Sequence, residues 1–505
     1  MSLLTVFTSQ VMGFLATLFI FTIGVVLLII LFLFIIDSSQ TKDVIRHNYP
    51  VVGRFRNLFS TLGEFFRQYF FAMDREEMPF NRAEREWVYK SANGHDNTVA
   101  FGSTKSITPA GTVLFVNGPF ATLDEDAQEA PELTVGPYCR HPYTTASLVN
   151  ISGMSFGAIS RPAVTALSRG AKLGNCWLNT GEGGLSPYHL DGGCDIVFQM
   201  GTAKYGVRDK EGNLSPEKLK EVAAHEQVKM IEIKISQGAK PGKGGILPGS
   251  KVNKEIAEIR GIEQGKDSIS PNRHSEVNDF SGLLTLINTV RDISGKPTGF
   301  KTVIGDHGWL EDMCLEIHAK GIESAPDFIA IDSSDGGTGA APMPLIDSVG
   351  LPIKSALPTV VDILVKHGLR DRIKLIASGK LITPAEVAWA YCAGADFVVS
   401  ARGFMLALGC IQALKCNKNT CPTGITTNDA KLQDALVPDE RADMVKNYVK
   451  KLQYGTGLIA QSCGVAHPRE LQRKHCQIVQ HTTFPIPYDE LFPPVDTLPE
   501  YDKSS

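Results

Sequence analysis

Cysteine is scarce in this chain, with 10 in 505 residues, too few for a scaffold stapled by disulfides. Neither sign of charge prevails: 50 Lys and Arg stand against 54 Asp and Glu, a formal net charge of -4. That balance supplies no basic face, so nucleic acid is not an expected partner. Internal repeats and low-complexity tracts are lacking, and so is a GxGxxG fingerprint, which means that NAD(P)H, if used, would bind a partner protein. Charge is absent altogether from the first 36 positions.

What fills those positions is a continuous apolar run. Val11 to Ile36, VMGFLATLFIFTIGVVLLIILFLFII, holds 26 residues. At about 1.5 Å per residue this gives roughly 39 Å of helix, enough to cross a hydrocarbon core of about 30 Å. A cleaved signal peptide would call for a charged start, a shorter run and a small-residue cleavage site, whereas Asp37-Ser38-Ser39-Gln40 follows here. We therefore expect residues 1–36 to be a single-pass transmembrane anchor. Lys42, Arg46, Arg54 and Arg56 lie beyond it and no basic residue precedes it, so the positive-inside rule places the rest at the cytoplasmic face of the membrane. A reducing compartment further weakens a disulfide reading of the cysteines.

Residues 37–146 read as a connector. Phe55 to Met73, FRNLFSTLGEFFRQYFFAM, has helical apolar spacing and fits either a helix packed on the main domain or one lying on a membrane surface. From about 147 to 430 short apolar runs alternate with helix-length segments. They begin at Ala146, Cys176, Asp195, Met230, Gly299, Asp327, Ile373 and Asp396. Eight such runs predict an α/β fold of (β/α)8 TIM-barrel type, the alternative being a doubly wound open sheet. A helical extension and tail are expected over 431–505.

In such barrels chemistry sits at the carboxyl ends of the strands. The Gly-rich loop Ser236 to Gly249, SQGAKPGKGGILPG, suits anionic groups or simply tight turns. Lys234 interrupts the apolar strand IEIKIS and, by alternation, shares a face with Glu232 and Ser236. Lys301 interrupts GFKTVIG in the same way. Two strand-borne lysines suit a flavin or a dicarboxylate substrate; the plainer alternative pairs Lys301 with Asp306 or Glu232. Asp335 to Gly339, Ser378-Gly379-Lys380 and Ser400-Ala401-Arg402-Gly403 follow the last three runs, where phosphate sites in these barrels are commonly built. The stretch GCIQALKCNKNTCPTG, Gly409 to Gly424, sets Cys410, Cys416 and Cys421 close together. On spacing alone an iron–sulfur cluster, unpaired core thiols and a zinc site all stay open.

Taken together, the motifs resemble the FMN-binding synthase domain of the glutamate synthase family. The matching stretches are MSFGAIS (Met154 to Ser160), NTGEGG (Asn179 to Gly184), IKISQGAKPGKGG (Ile233 to Gly245), ISP (Ile269 to Pro271), SDGGTGAAP (Ser334 to Pro342), LRDRIKLIASG (Leu369 to Gly379) and the cysteine stretch. The resemblance implies FMN held by Met154, Ser155, Gly157, Gln199, Lys301, Gly337, Gly379, Ser400, Ala401 and Arg402. It implies a 3Fe–4S cluster on Cys410, Cys416 and Cys421, feeding electrons to the flavin. It implies 2-oxoglutarate held by Glu182, Lys234, Gln237 and Lys240, with Glu182, Lys301 and Gln237 at the reacting centre. The implied reaction is reductive amination of 2-oxoglutarate with ammonia, through 2-iminoglutarate, to L-glutamate. An electron donor protein, ferredoxin or an NAD(P)H-oxidising subunit, is the implied partner. The amidotransferase domain of glutamine-using members has no counterpart in these 505 residues, where the apolar segment stands in its place, and the family's C-terminal β-helical domain has none either. Two alternatives are an FMN-dependent membrane-associated dehydrogenase for another 2-oxo, 2-hydroxy or N-substituted amino acid, and a non-enzymatic assembly subunit.

Overall fold

The eight apolar runs form eight parallel strands that close into a barrel. We label them β1 (Val149–Ile151), β2 (Leu178–Asn179), β3 (Ile196–Met200), β4 (Val228–Lys234), β5 (Thr298–Val303), β6 (Phe328–Asp332), β7 (Lys374–Ser378) and β8 (Phe397–Ser400). Each strand pairs with the next, and β8 closes on β1. This computed structural model describes residues 3–40, 42–480 and 484–501, in two compact units, Met1–Ala83 and Glu84–Ser505. The open-sheet alternative is thereby set aside.

Helices follow the strands where capping chemistry permits. Arg161–Gly174 starts at Ser160, whose hydroxyl accepts the Ala163 N–H, carries Pro162 in its first turn and ends at Asn175 in the left-handed region. Phe280–Ser294, Gly308–Lys320, Ile353–Lys366 and Pro384–Cys392 fill the later crossovers. Between β2 and β3 lie the 3-10 turn Gly181–Gly183 and the one-turn helix Pro187–Leu190.

The strands are short, so alternation decides which residues meet inside. Trp177, Val197, Met230, Phe328, Ile376 and Phe397 make one buried cluster near the amino ends of the strands. Trp177 and Phe397 pack edge-to-face at 5.0 Å. A hairpin of Leu133–Val135 with Tyr143–Thr145 closes that end, adding Val135 and Tyr143 to the cluster. The Tyr143 hydroxyl donates to Asp195, just before β3, at 2.8 Å. Full burial of an aromatic of this size is worth about 1.5–3 kcal/mol, so the apolar floor fixes the barrel and leaves its upper layer free for polar groups.

Beyond the barrel, Pro438–Ser462 packs along Arg161–Gly174. The strand Cys476–Val479 pairs antiparallel with Val113–Phe115, part of the expected β-like piece GTVLFVNG, and with Pro485–Pro487. In the first unit, Leu3–Ser39 is one helix. Its stretch Phe7–Ser39, reaching a mean hydropathy of 3.4, is long and apolar enough to cross a membrane. Signal sequences meet the same criterion of length and composition.

Candidate active site

The layer above the apolar floor is largely polar. Met230 points inward, so Glu232 and Lys234, at the same parity on β4, do too. Register extends the rule across the barrel: Gln199 lies opposite Glu232, Lys301 opposite both Lys234 and Ala330, and Asp332 opposite Ser378. Buried polar groups must find partners, and these do. Glu232 Oε1 accepts from Asn179 Nδ2 at 2.9 Å and from Gln199 Nε2 at 2.6 Å. Asp332 takes the Lys301 ammonium at 3.6 Å, the Gly238 N–H at 3.0 Å and the Ser378 hydroxyl at 2.8 Å.

At the mouth, Glu182, Lys234, Gln237 and Lys240 come together. Lys234 Nζ stands 3.2 Å from Glu182 Oε2 and donates to Gln237 Oε1. Lys240 is almost fully buried and donates to the Ala340 carbonyl at 2.9 Å. Burial, with Lys234 adding repulsion, brings its ammonium down to about 8. Burial alone would push the Glu182 carboxyl up, but the charges of Lys234 and Lys240 outweigh it and hold the carboxyl below its usual range. Two glycines of the Gly-rich loop make room: a β-carbon on Gly238 would overlap the Ser333 carbonyl, and one on Gly245 would overlap the Glu182 carboxylate. The loop is therefore built for close approach as well as for turning.

The third group lies beyond β6, β7 and β8. Asp335 receives Lys380 at 3.0 Å on its carboxylate and Arg402 at 2.8 Å on its carbonyl. Burial would raise the Asp335 carboxyl, but the Ser333 hydroxyl and Lys380 outweigh that and lower it. Gly337 lies against the Arg402 side chain, and Gly379, at φ 120°, lies so close to Ser333 that any side chain would collide with it. Ser400 Oγ accepts the Gly403 N–H at 3.3 Å, and Ala401 opens the helix Arg402–Ala407. Two cations, small residues and free backbone approach suit a phosphate. With Gln199 and Lys301 in the adjoining layer, these residues fit the chemistry of FMN.

Across the mouth, the buried Met154 and Ser155 turn over β2, with the Met154 N–H donating to the Asn179 carbonyl at 3.4 Å. Gly157, at φ 94°, turns against Ile256. Arg260, which the sequence motifs did not single out, stands 3.5 Å from Ser155 Oγ and 5.3 Å over the Tyr205 ring. Its charge also helps to lower Glu182.

All ten cysteines are free thiols. Cys410, Cys416 and Cys421 are near enough for their charges to oppose one another's ionisation. Burial pushes Cys410 up to about 11 and also raises Cys416. At Cys421 burial acts upward too, but hydrogen bonds from Thr423 and Thr426 win and lower it. Lys251, buried beside this loop, donates to the carbonyls of Ala158, Cys416 and Thr426 at 2.7, 3.3 and 2.9 Å. Among the described residues no three His, Cys, Asp or Glu side chains converge closely enough to hold a metal ion. Three thiols from one loop are a donor set of the type that iron–sulfur clusters take.

For Lys301 the structure supplies a carboxylate partner other than the two that the plainer alternative named. Lys301 is matched by Asp332 rather than by Asp306 or Glu232. Asp306 is exposed and accepts the Gly308 N–H at 3.0 Å, while Glu232 is engaged by two amides. The signal for Asp332 was present in the run DFIAID, where alternation from Phe328 and Ala330 turns it inward.

Fold and site define a barrel enzyme with its polar groups gathered at the carboxyl ends of the strands. A family profile described as the conserved region in glutamate synthase matches residues 114–466. The glutamate synthase large subunit-like protein YerD of Bacillus subtilis (strain 168) is 39% identical over 496 residues, covering 90% of this chain and 94% of that one. The archaeal-type glutamate synthase [NADPH] of Thermotoga sp. (strain RQ2) is 34% identical over 304 residues, 60% of this chain and 56% of that one. This chain thus matches little more than half the length of the archaeal-type enzyme. Among solved structures, the flavin-binding domain of baker's yeast flavocytochrome b2 aligns at 12% identity and a TM-score of 0.43 over 78% of each chain. The chain belongs to the glutamate synthase family and is an oxidoreductase of that family.

Proposed function

We propose that this protein converts 2-oxoglutarate and ammonia, through 2-iminoglutarate, to L-glutamate, with FMN in the barrel mouth and a 3Fe–4S cluster on Cys410, Cys416 and Cys421. The observation that carries this reading is the convergence of Lys234, Lys240, Gln237 and Glu182 above the buried layer. FMN, when bound, supplies the hydride that reduces the imine. Lys301, Gln199, Gly379 and Ser400 to Arg402 would hold it.

The chain's own groups divide the remaining work. The buried ammonium of Lys240 and the half-buried one of Lys234 attract a substrate with two carboxylates, and Lys240 exchanges the Ala340 carbonyl for a substrate oxygen. Gln237 offers an amide to the same oxygens. Glu182, held ionised by its lysine neighbours, accepts the proton that ammonium must lose before nitrogen attacks the 2-oxo carbon. The same carboxylate then returns a proton as water leaves and the imine forms. Closure by the Gly-rich loop keeps water from the imine. The electrons come from a separate donor protein, ferredoxin or an NAD(P)H-oxidising subunit. The Leu3–Ser39 helix anchors the chain in the cytoplasmic membrane with the barrel on the cytoplasmic side.

Titration calorimetry of the FMN-loaded protein with 2-oxoglutarate tests the substrate. Binding that is lost in Glu182→Ala and Lys240→Ala supports the reading. Equal heats in parent and variants would mean that the barrel serves another acid. Iron and acid-labile sulfide analysis, with the visible spectrum, tests the cluster.

A further inference from the structure

The segment after the long apolar helix has no part in the chemistry above, yet it displays a dense apolar surface. Val52–Phe66 is helical, and Arg67–Phe71 continues it as a π turn. Helical spacing gathers Phe55, Leu58, Phe59, Leu62, Phe65 and Phe66 onto one face, and all of them are exposed. Phe70 and Phe71 prolong the display at 67% and 74% exposure. Arg56 and Ser60 lie on the other side of the helix, with Arg54 and Thr61 at the edge of the stripe.

The start of this helix is pinned. Asp37, near the end of the apolar helix and wholly buried, accepts from Arg46 Nη2 at 2.7 Å, from Arg54 Nε and Nη2 at 2.7 Å each, and from the Val51 N–H at 3.0 Å. One carboxylate therefore ties the end of the apolar helix to the first turn of the amphipathic one. The aromatic stripe begins at the depth where the apolar helix ends.

We infer that Val52–Phe71 lies in the interface of the bilayer that the apolar helix crosses, with its aromatic stripe against the acyl chains. The partner is a lipid surface. This rests on reading Leu3–Ser39 as a membrane anchor. A helix with one broad apolar face and one charged face lies in the interfacial plane, and exposed apolar surface of this extent marks an interaction site. A second copy or a soluble partner would cover the stripe equally well, but neither accounts for a buried carboxylate that fixes it beside the end of an apolar helix.

The test uses the full chain in vesicles of phosphatidylcholine and phosphatidylglycerol. Phe59→Trp reports from the stripe and Ser60→Trp from the polar side, each read against the parent's four tryptophans. Emission added at position 59 should fall at least twofold with acyl-brominated lipid and resist iodide, and position 60 should do the reverse. Iodide quenching at 59 without a bromolipid effect overturns the inference, as does quenching by neither, which would mean protein cover. A chain that washes from the vesicles at alkaline pH overturns the anchor reading, and the inference with it. A chain that stays while position 59 answers to iodide overturns the inference alone.

Discussion

Burial and the neighbouring Lys234 bring the Lys240 ammonium down to about 8, and a charge that titrates there governs an anionic ligand directly. Below pH 8 the group is protonated and would hold a carboxylate of the proposed substrate. Above it the charge is lost, so the Kd for 2-oxoglutarate should rise by about tenfold per pH unit beyond pH 8. Lys240→Met should flatten that rise and weaken binding at pH 7 by about 30-fold or more, the cost of removing one member of a buried charge contact. Calorimetric titrations at pH 7, 8 and 9 check both. Asp332 makes the second residue-scale case. It answers Lys301, Gly238 and Ser378 together. Asp332→Ala leaves a buried ammonium uncompensated and should cost about 3–5 kcal/mol in denaturant unfolding. Asp332→Asn, which keeps one acceptor, should cost less.

At the scale of elements, the Gly-rich loop after β4 separates stability from function. A β-carbon at Gly245 collides only with the movable Glu182 side chain, whereas one at Gly238 meets the Ser333 carbonyl of the next layer. Gly245→Ala should therefore abolish turnover with a Tm near that of the parent. Gly238→Ala should lower stability as well, by about 1–3 kcal/mol. Thermal melts set beside activity check the contrast.

The eight strands were legible because each is a short β-branched or aromatic run ending in Gly, Ser or Asp, and the structure finds a strand in every one. Their inward faces were legible too: the lysines of IEIKIS and GFKTVIG interrupt apolar strands at the parity that faces the mouth. Partnerships between strands were not legible. Lys301 meets Asp332 because β5 lies beside β6 in a particular register, and register is set by packing across the barrel rather than by local pattern. Arg260 stayed hidden for a related reason. It sits in the helix KEIAEIR, where an arginine reads as a solvated charge until tertiary packing places it over Tyr205 and beside Ser155.

At the scale of the whole molecule, the chain divides at Ala83 and Glu84 into a unit that carries the apolar helix and a unit that carries the entire barrel. The barrel's floor, its hairpin plug and the sheet joining Val113–Phe115 to Cys476–Val479 all belong to the second unit. A chain beginning at Glu84 should therefore fold to the same barrel, unfold cooperatively and remain soluble without detergent. Circular dichroism melts and sedimentation of that chain beside the full-length protein check this. The measurement that bears most directly on the whole account is turnover. Protein shown by analysis to hold FMN, iron and sulfide is given 2-oxoglutarate, ammonia and dithionite-reduced methyl viologen, and the amino acid formed is identified by chiral chromatography. The account predicts L-glutamate, formed in proportion to bound flavin and lost in Glu182→Ala. No glutamate from fully loaded protein, with the reduced donor left unconsumed, would contradict it.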